Sequence, residues 1–361
     1  MNLRVALTGM TVVGLIAVSG CTSERPAPAP SAGKEVKVTI AEGKVTNLPL
    51  GLDEFGAKIP ADNSVTEAKV VLGKHLYFDP RLSKDGTISC ASCHDPAKGW
   101  SDGRKNSSGI LAQFGNKNAP TVLNRLFSTI QFWDGRAASL EEQALGPVQN
   151  PIEMGNTIEG MIANVNLVAG YKSLFRAAFG DENVTPERVA QAIASFERTI
   201  VSGNSPFDRY EAGDKKAMSE SAIRGREIFR DNTKGRCSIC HAGFNFTDEK
   251  FHNVGVGTDK SDWEKDHLGR AAVTKLDTDK GAFKTPTLRQ LTDSGPYMHD
   301  GSEATLEAVV ELYAKGGNKN PHLDKEMKPL TLSPQDKKDL VEFLKALSGD
   351  VTTVVKPELV K

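Results

Sequence analysis

Cys90-Ala91-Ser92-Cys93-His94 and Cys237-Ser238-Ile239-Cys240-His241 are one pentad, CxxCH, written twice in the chain. This is the attachment signature of c-type haem. Its two thiols form thioether bonds to the vinyl groups of one macrocycle, and the following histidine is held under the iron as an axial ligand. With five Cys and seven His in 361 residues, chance matches to the pentad number on the order of 0.001. Two matches therefore predict two covalently bound haems c. Cys90, Cys93 and His94 serve the first, and Cys237, Cys240 and His241 the second. The competing reading, zinc knuckles or redox CxxC sites, fits less well. Zinc wants two such pairs close together, and a thioredoxin-type pair has no use for the trailing His.

The fifth cysteine bears on export. Met1-Asn2-Leu3-Arg4 is a short basic start, Val5 to Val18 is mostly apolar, and Val18-Ser19-Gly20 leads into Cys21. The apolar run is too short to span a bilayer and predicts a signal peptide over residues 1–20. The cleavage point is similar to a bacterial lipobox, which would make Cys21 a lipidated membrane anchor. A plain secretory signal with an incidental Cys is the alternative. Both readings place the protein outside the cytoplasm, in the periplasm, and leave no thiols for a disulfide. Residues 21–47, with the run Arg25 to Gly33 (RPAPAPSAG), read as an extended tether. The formal net charge is −1 and no basic block occurs, which argues against a nucleic-acid partner.

The chain reads as an internal duplication. Glu67-Ala68-Lys69-Val70-Val71-Leu72-Gly73-Lys74-His75-Leu76-Tyr77-Phe78 precedes the first pentad, and Ser221-Ala222-Ile223-Arg224-Gly225-Arg226-Glu227-Ile228-Phe229 precedes the second. In both, apolar residues recur at helical spacing around one glycine. Thr66 and Ser219 are the expected N-caps. Further helices are expected over Ser139 to Leu145, Ile158 to Ala163, Pro186 to Val201, Leu306 to Ala314 and Pro334 to Leu347. Pro186 and Pro334 sit in first turns behind Thr185 and Ser333. No segment alternates as a strand would. The expected architecture is mostly α: two cytochrome c-like haem domains, residues 48–215 and 216–349, with a tail over 350–361. Long loops are expected because haem replaces much of the apolar core.

Longer motifs carry a resemblance. Phe132-Trp133-Asp134-Gly135-Arg136, Leu140-Glu141-Glu142-Gln143-Ala144 and Gly146-Pro147-Val148-Gln149-Asn150-Pro151-Ile152-Glu153-Met154-Gly155 stand in the order seen in the dihaem cytochrome c peroxidase family. So do Asn118-Ala119-Pro120-Thr121, Phe283-Lys284-Thr285-Pro286-Thr287-Leu288-Arg289 and Pro296-Tyr297-Met298-His299-Asp300-Gly301. The resemblance runs from about Leu48 to Gly349. The family includes ordinary peroxidases and a MauG branch that oxidises aromatic residues of a partner protein.

The resemblance implies that hydrogen peroxide reacts at the first haem, with Gln143, Pro147 and Glu153 on its distal side. The chemistry calls for such a set. A carboxylate carries a proton from one peroxide oxygen to the departing one, and an amide holds the peroxide in place. Taken alone, Glu153 also reads as a helix-start carboxylate. The resemblance further implies that Trp133 relays electrons between the haems. It also implies a Ca²⁺ ion held by the Asn118 side chain and the backbone carbonyls of Ser294 and Pro296, an oxygen set that suits this ion.

Two departures from the ordinary pattern point to the MauG branch. Where ordinary members carry a His that caps the first haem, this chain has Ile110, and no His lies between His94 and His241. Where they ligate the second haem with Met, the matching residue is Tyr313. A phenolate favours high iron oxidation states where a thioether favours ferrous iron. Met298, Met327, His299 and His322 remain alternative ligands, and His299 is expected to bond a haem propionate or the backbone. The external donor is then an aromatic residue of a partner protein or, alternatively, a small c-type cytochrome or cupredoxin. A non-catalytic electron carrier is a third reading. Thr233-Lys234-Gly235-Arg236, just before the second pentad, offers no aromatic exit. His252, Asp259, Asp262, Asp266 and His267 read as a solvated polar loop, with a metal site as the alternative.

Overall fold

A computed structural model describes Met1, residues 37–259 and residues 261–361. Cys21 and all but Met1 of the expected signal peptide lie outside the described residues. Twelve helices are present among them: α1 Glu67–Tyr77, α2 Cys90–Cys93, α3 Leu140–Gln149, α4 Ile158–Asn166, α5 Ala169–Phe179, α6 Pro186–Glu197, α7 Pro206–Glu211, α8 Glu220–Arg230, α9 Glu264–His267, α10 Ala271–Thr274, α11 Leu306–Ala314 and α12 Pro334–Lys345. Strands form only three short antiparallel pairs. These are β1 Thr39–Ala41 with β2 Lys44–Thr46, β3 Ser202–Gly203 with β6 Asp350–Val351, and β4 Phe251–His252 with β5 Phe283–Lys284. The fold is mostly helical with long loops, as expected.

The caps act where the sequence places them. The Thr66 hydroxyl accepts from Lys69 N, Ser219 from Ala222 N, and Ser333 from Asp336 N. Each satisfies an N–H that the first turn leaves unpaired. Helix α6 stops at Glu197 rather than Val201, because the chain there turns into β3 to pair with β6. Helix α5 was not legible in advance: its N-cap position, Val168, makes no side-chain capping bond.

The duplication is visible as two matching helix pairs, α1 on α6 and α8 on α12. A Cβ on Gly73 would fall 1.8 Å from the Ala192 carbonyl oxygen, and one on Gly225 would fall 1.9 Å from that of Asp339. Only glycine permits so close a backbone approach. Four residues on, Tyr77 meets Phe196 edge-to-face at 5.2 Å, and Phe229 meets Phe343 at 5.0 Å. Leu72, Leu76 and Tyr77 are wholly buried, and each such side chain contributes about 1.5–3 kcal/mol.

Three boundaries differ from the sequence reading. The expected tether ends before Leu48, because the β1–β2 hairpin buries Val45 against Leu126, Phe127 and Val201. Phe207, which the sequence reading assigns to residues 48–215, packs in the hydrophobic cluster of α8 and α12. Phe207 N also donates to the Ala346 carbonyl. The tail is a packed strap. Val351, Val354 and Val360 lie on the cluster built by α1 and α3–α6, and the Val360 carbonyl accepts from Arg81. Among the described residues no helix is long and apolar enough to cross a membrane.

Candidate active site

Both pentads present their histidine in the same way. His94 N donates to Cys90 O at 3.0 Å and His241 N to Cys237 O at 2.9 Å, closing a tight turn that turns the imidazole inward. His94 Nδ1 lies 3.4 Å from the Trp100 carbonyl and His241 Nδ1 lies 3.0 Å from that of Phe246. A carbonyl only accepts, so Nδ1 carries the hydrogen and Nε2 keeps a lone pair for iron. Burial lowers both imidazole pKa values and so favours the neutral, ligating form.

The first cavity is lined by Cys93 and His94 on one side and by Gln143, Pro147 and Glu153 among its other walls. Pro147 lies inside α3 and has no N–H to bond the Gln143 carbonyl, which loosens the helix there. The Gln143 amide makes no hydrogen bond among the described residues and so remains available to a ligand. Glu153 Oε1 accepts from Asn150 Nδ2 at 2.7 Å. Burial raises the Glu153 pKa, opposed by Arg136 and by the Asn150 bond. His94 is the one imidazole among the lining residues, which include no Met or Tyr. Ile110 is buried against Gly155, and its N–H donates to the Glu153 carbonyl at 2.8 Å. It braces the Glu153 turn rather than lining the cavity.

The second cavity holds Cys237, Cys240 and His241 together with Tyr313, Met298 and Met327. The Tyr313 hydroxyl makes no hydrogen bond among the described residues. Burial, then Cys240 and Cys237, raises its pKa. The cysteine share disappears once those sulfurs are thioethers, and a bound cation would reverse the rest. His322 is not among the lining residues and faces Asp277 at 3.9 Å. His299 lines the second cavity; its Nε2 lies 2.8 Å from His267 Nδ1, and its ring stacks on Phe283 at 3.5 Å. Of the polar loop, Asp259, Asp262 and Asp266 are exposed as read, whereas His267 is buried and His252 is clamped between Asp324 at 2.6 Å and Asp248 at 3.0 Å. His252, Asp248 and Cys240 come together at metal-ligand spacing, but a Cys240 consumed as a thioether removes the anionic sulfur such a site would need.

Trp133 and Asn118 line both cavities. Trp133 Nε1 donates to the Asn118 carbonyl at 2.9 Å. Asn118, Ser294 and Pro296 all line the second cavity, and neither Asn118 Oδ1 nor the carbonyls of Ser294 and Pro296 accept a hydrogen bond among the described residues. Three uncommitted oxygens fit a hard cation.

Sequence reasoning missed the charged residues around this wall. Arg125 and Lys284 also face both cavities. Glu197, on the first cavity, is 5% exposed with Oε2 unpartnered, and burial pushes its carboxyl up to about 8. Lys284 sits inside the motif of residues 283–289 without a role being read for it, and none of the motifs contains Arg125 or Glu197.

The cavities fit haem: each joins two cysteines of a pentad, or one of them, to a neutral imidazole with Nε2 free. Fold and site define a dihaem c-type enzyme. Residues 67–216 match the family described as di-haem cytochrome c peroxidase. The methylamine utilization protein MauG of Methylorubrum extorquens is 43% identical over 301 residues, 83% of this chain and 84% of that protein. Cytochrome c551 peroxidase of Nitrosomonas europaea is 40% identical over 279 residues, 77% of this chain and 79% of its own. A solved MauG-like protein associated with microbial copper homeostasis superposes with a TM-score of 0.74 at 31% identity, covering 84% of this chain and 95% of that one. The chain belongs to the dihaem cytochrome c peroxidase family and is a haem peroxidase.

Proposed function

We propose that this peroxidase is MauG-like: it uses H₂O₂ to oxidise an aromatic residue of a partner protein in the periplasm, held at the membrane through lipidated Cys21. The observation that carries the reading is Tyr313, which lines the cavity of His241 with its hydroxyl uncommitted. Haem iron, when bound, supplies O–O cleavage and storage of the two oxidising equivalents. The chain does the rest. His94 and His241 hold the irons, and Tyr313 is the second haem's other ligand. The Gln143 amide holds the peroxide, and Pro147 shapes the helix that presents it. The Glu153 carboxylate takes the peroxide proton and returns it to the departing oxygen. The absence of any further imidazole, Met or Tyr from the first cavity wall leaves that haem open to peroxide. Trp133 passes electrons across the shared wall, and Asn118, Ser294 and Pro296 hold Ca²⁺.

Tyr313→Phe tests this in the two-haem protein. The expected result is a changed optical and paramagnetic-resonance signature of the second haem with the first unaltered, and Tyr313→Met should raise the second haem's potential. An unchanged second haem in Tyr313→Phe overturns the assignment. Met327, on the same cavity wall, would then be the ligand, and an ordinary peroxidase fed by a small cytochrome or cupredoxin would take its place. The absence of an aromatic side chain at Gly235 and Arg236, both on that wall, favours this second reading.

A further inference from the structure

Arg125 stands on the wall that the two cavities share. Its Nε donates to the Thr121 carbonyl at 3.1 Å, which fixes the side chain. The two terminal nitrogens make no hydrogen bond among the described residues. A guanidinium carries five N–H donors in a rigid fork, so four remain uncommitted.

A half-buried guanidinium facing two cavities without a committed anion is costly. The carboxylates that act on Arg125 are Glu249 and Glu197. Glu249 is already engaged, with Oε1 on Lys284 Nζ at 3.1 Å and Oε2 on Ser128 at 2.5 Å. Glu197 is held largely in its neutral form by burial. Lys284, which is buried, adds a second cation to the same wall. The wall therefore lacks negative charge on both faces.

Each haem brings two propionates on the edge opposite its thioethers. Arg125 lines the cavity of each haem. A planar fork also suits carboxylates, which it binds with paired hydrogen bonds.

We infer that Arg125 is a shared anion anchor, its guanidinium holding one propionate carboxylate from each haem across the wall and so tying the electrostatics of the two irons together. The inference rests on the two-haem assignment and not on which donor is oxidised. A cation beside both haems favours their reduced states, so its loss acts on both.

The test uses the two-haem protein, with the haem count verified by pyridine haemochrome and the fold by circular dichroism. In Arg125→Gln, spectroelectrochemical titration should show both midpoint potentials falling together, by about tenfold in each reduction equilibrium, or about 59 mV for one electron. Arg125→Lys keeps the charge and loses the fork. It should move both potentials less, while shifting the propionate bending bands of both haems in resonance Raman spectra. Arg176→Gln, at an exposed pair with Glu182, should move neither. A response confined to one haem, no response in either, or an equal response in Arg176→Gln overturns the inference. If Arg125→Gln loses haem, the Raman bands of Arg125→Lys decide: unchanged bands in either haem overturn it.

Discussion

The two haem cavities share one proximal design and differ on their other walls. In each, a CxxCH turn presents an imidazole whose Nδ1 is tied to a backbone carbonyl, Trp100 in one case and Phe246 in the other. In each, a glycine-bearing helix lies against a partner helix so closely that a Cβ would collide with a carbonyl. The remaining walls diverge. The first cavity offers an amide and a carboxyl, Gln143 and Glu153, and no second imidazole, thioether or phenol. The second offers Tyr313, Met298 and Met327 and is more apolar. A duplicated unit keeps what grips the cofactor, and its function is set by what the opposite wall presents to the iron.

The comparison breaks most sharply at the attachment residues. Cys90→Ala with Cys93→Ala should leave one covalent haem per chain where the unaltered protein has two, read by pyridine haemochrome. A single haem in the unaltered protein would undo the duplication argument.

Removing the proton carrier should separate the cavities functionally. Glu153→Gln is expected to slow peroxide consumption by roughly 10²–10⁴-fold and leave the spectrum of the second haem unchanged. Glu153 acts as a base only when ionised, and burial raises its pKa. The rate should therefore climb with pH through an inflection above the ordinary carboxylate range. Stopped-flow traces of the Gln variant should lack that inflection.

The shared scaffold can be probed copy by copy. Gly73→Ala and Gly225→Ala should each cost about 1–3 kcal/mol by overpacking, roughly 2–4 °C of melting temperature per kcal/mol in a protein of this size. Similar losses at the two positions would bear out their equivalence; a loss at one alone would show that only one pair is tightly packed.

The smallest expected effect concerns Glu197, which has no counterpart noted in the second cavity. Its carboxyl lies at about 8 in the folded chain against 4.5 ordinarily. Between those values the folded state keeps a proton that the unfolded chain releases, so stability falls as pH rises through this window. Thermal melts of Glu197→Gln across the same window should be flatter than those of the unaltered protein. An unchanged slope would mean that Glu197 is ionised when haem is bound.

Much of this was legible in the chain itself. The pentads name the cofactor and its count because covalent attachment needs a fixed local spacing. Caps at Thr66, Ser219, Thr185 and Ser333 mark helix starts because they act within one turn. The hairpin at Thr39–Thr46 escaped notice because three-residue strands show no period. Ile110 was read as the place of a missing His, whereas its role as a brace for Glu153 depends on Gly155, which the local pattern does not reveal. His267 read as surface because its partner, His299, is 32 residues away.

By itself the sequence determined the haem cofactors and the helical class, and supplied the candidate residues for holding haem and for distal chemistry. All of these are encoded at short range, by spacing along one turn or one helix. Only the tertiary structure decided which residues stand on the wall common to both cavities, that Val351, Val354 and Val360 strap onto the first cluster, and that Phe207 joins the second. Such placements depend on burial and on contacts between residues far apart in the chain. Arg125, half-buried on the wall of both cavities, and a fully exposed arginine look alike in sequence, and only the packing that removes water from one of them makes its charge consequential.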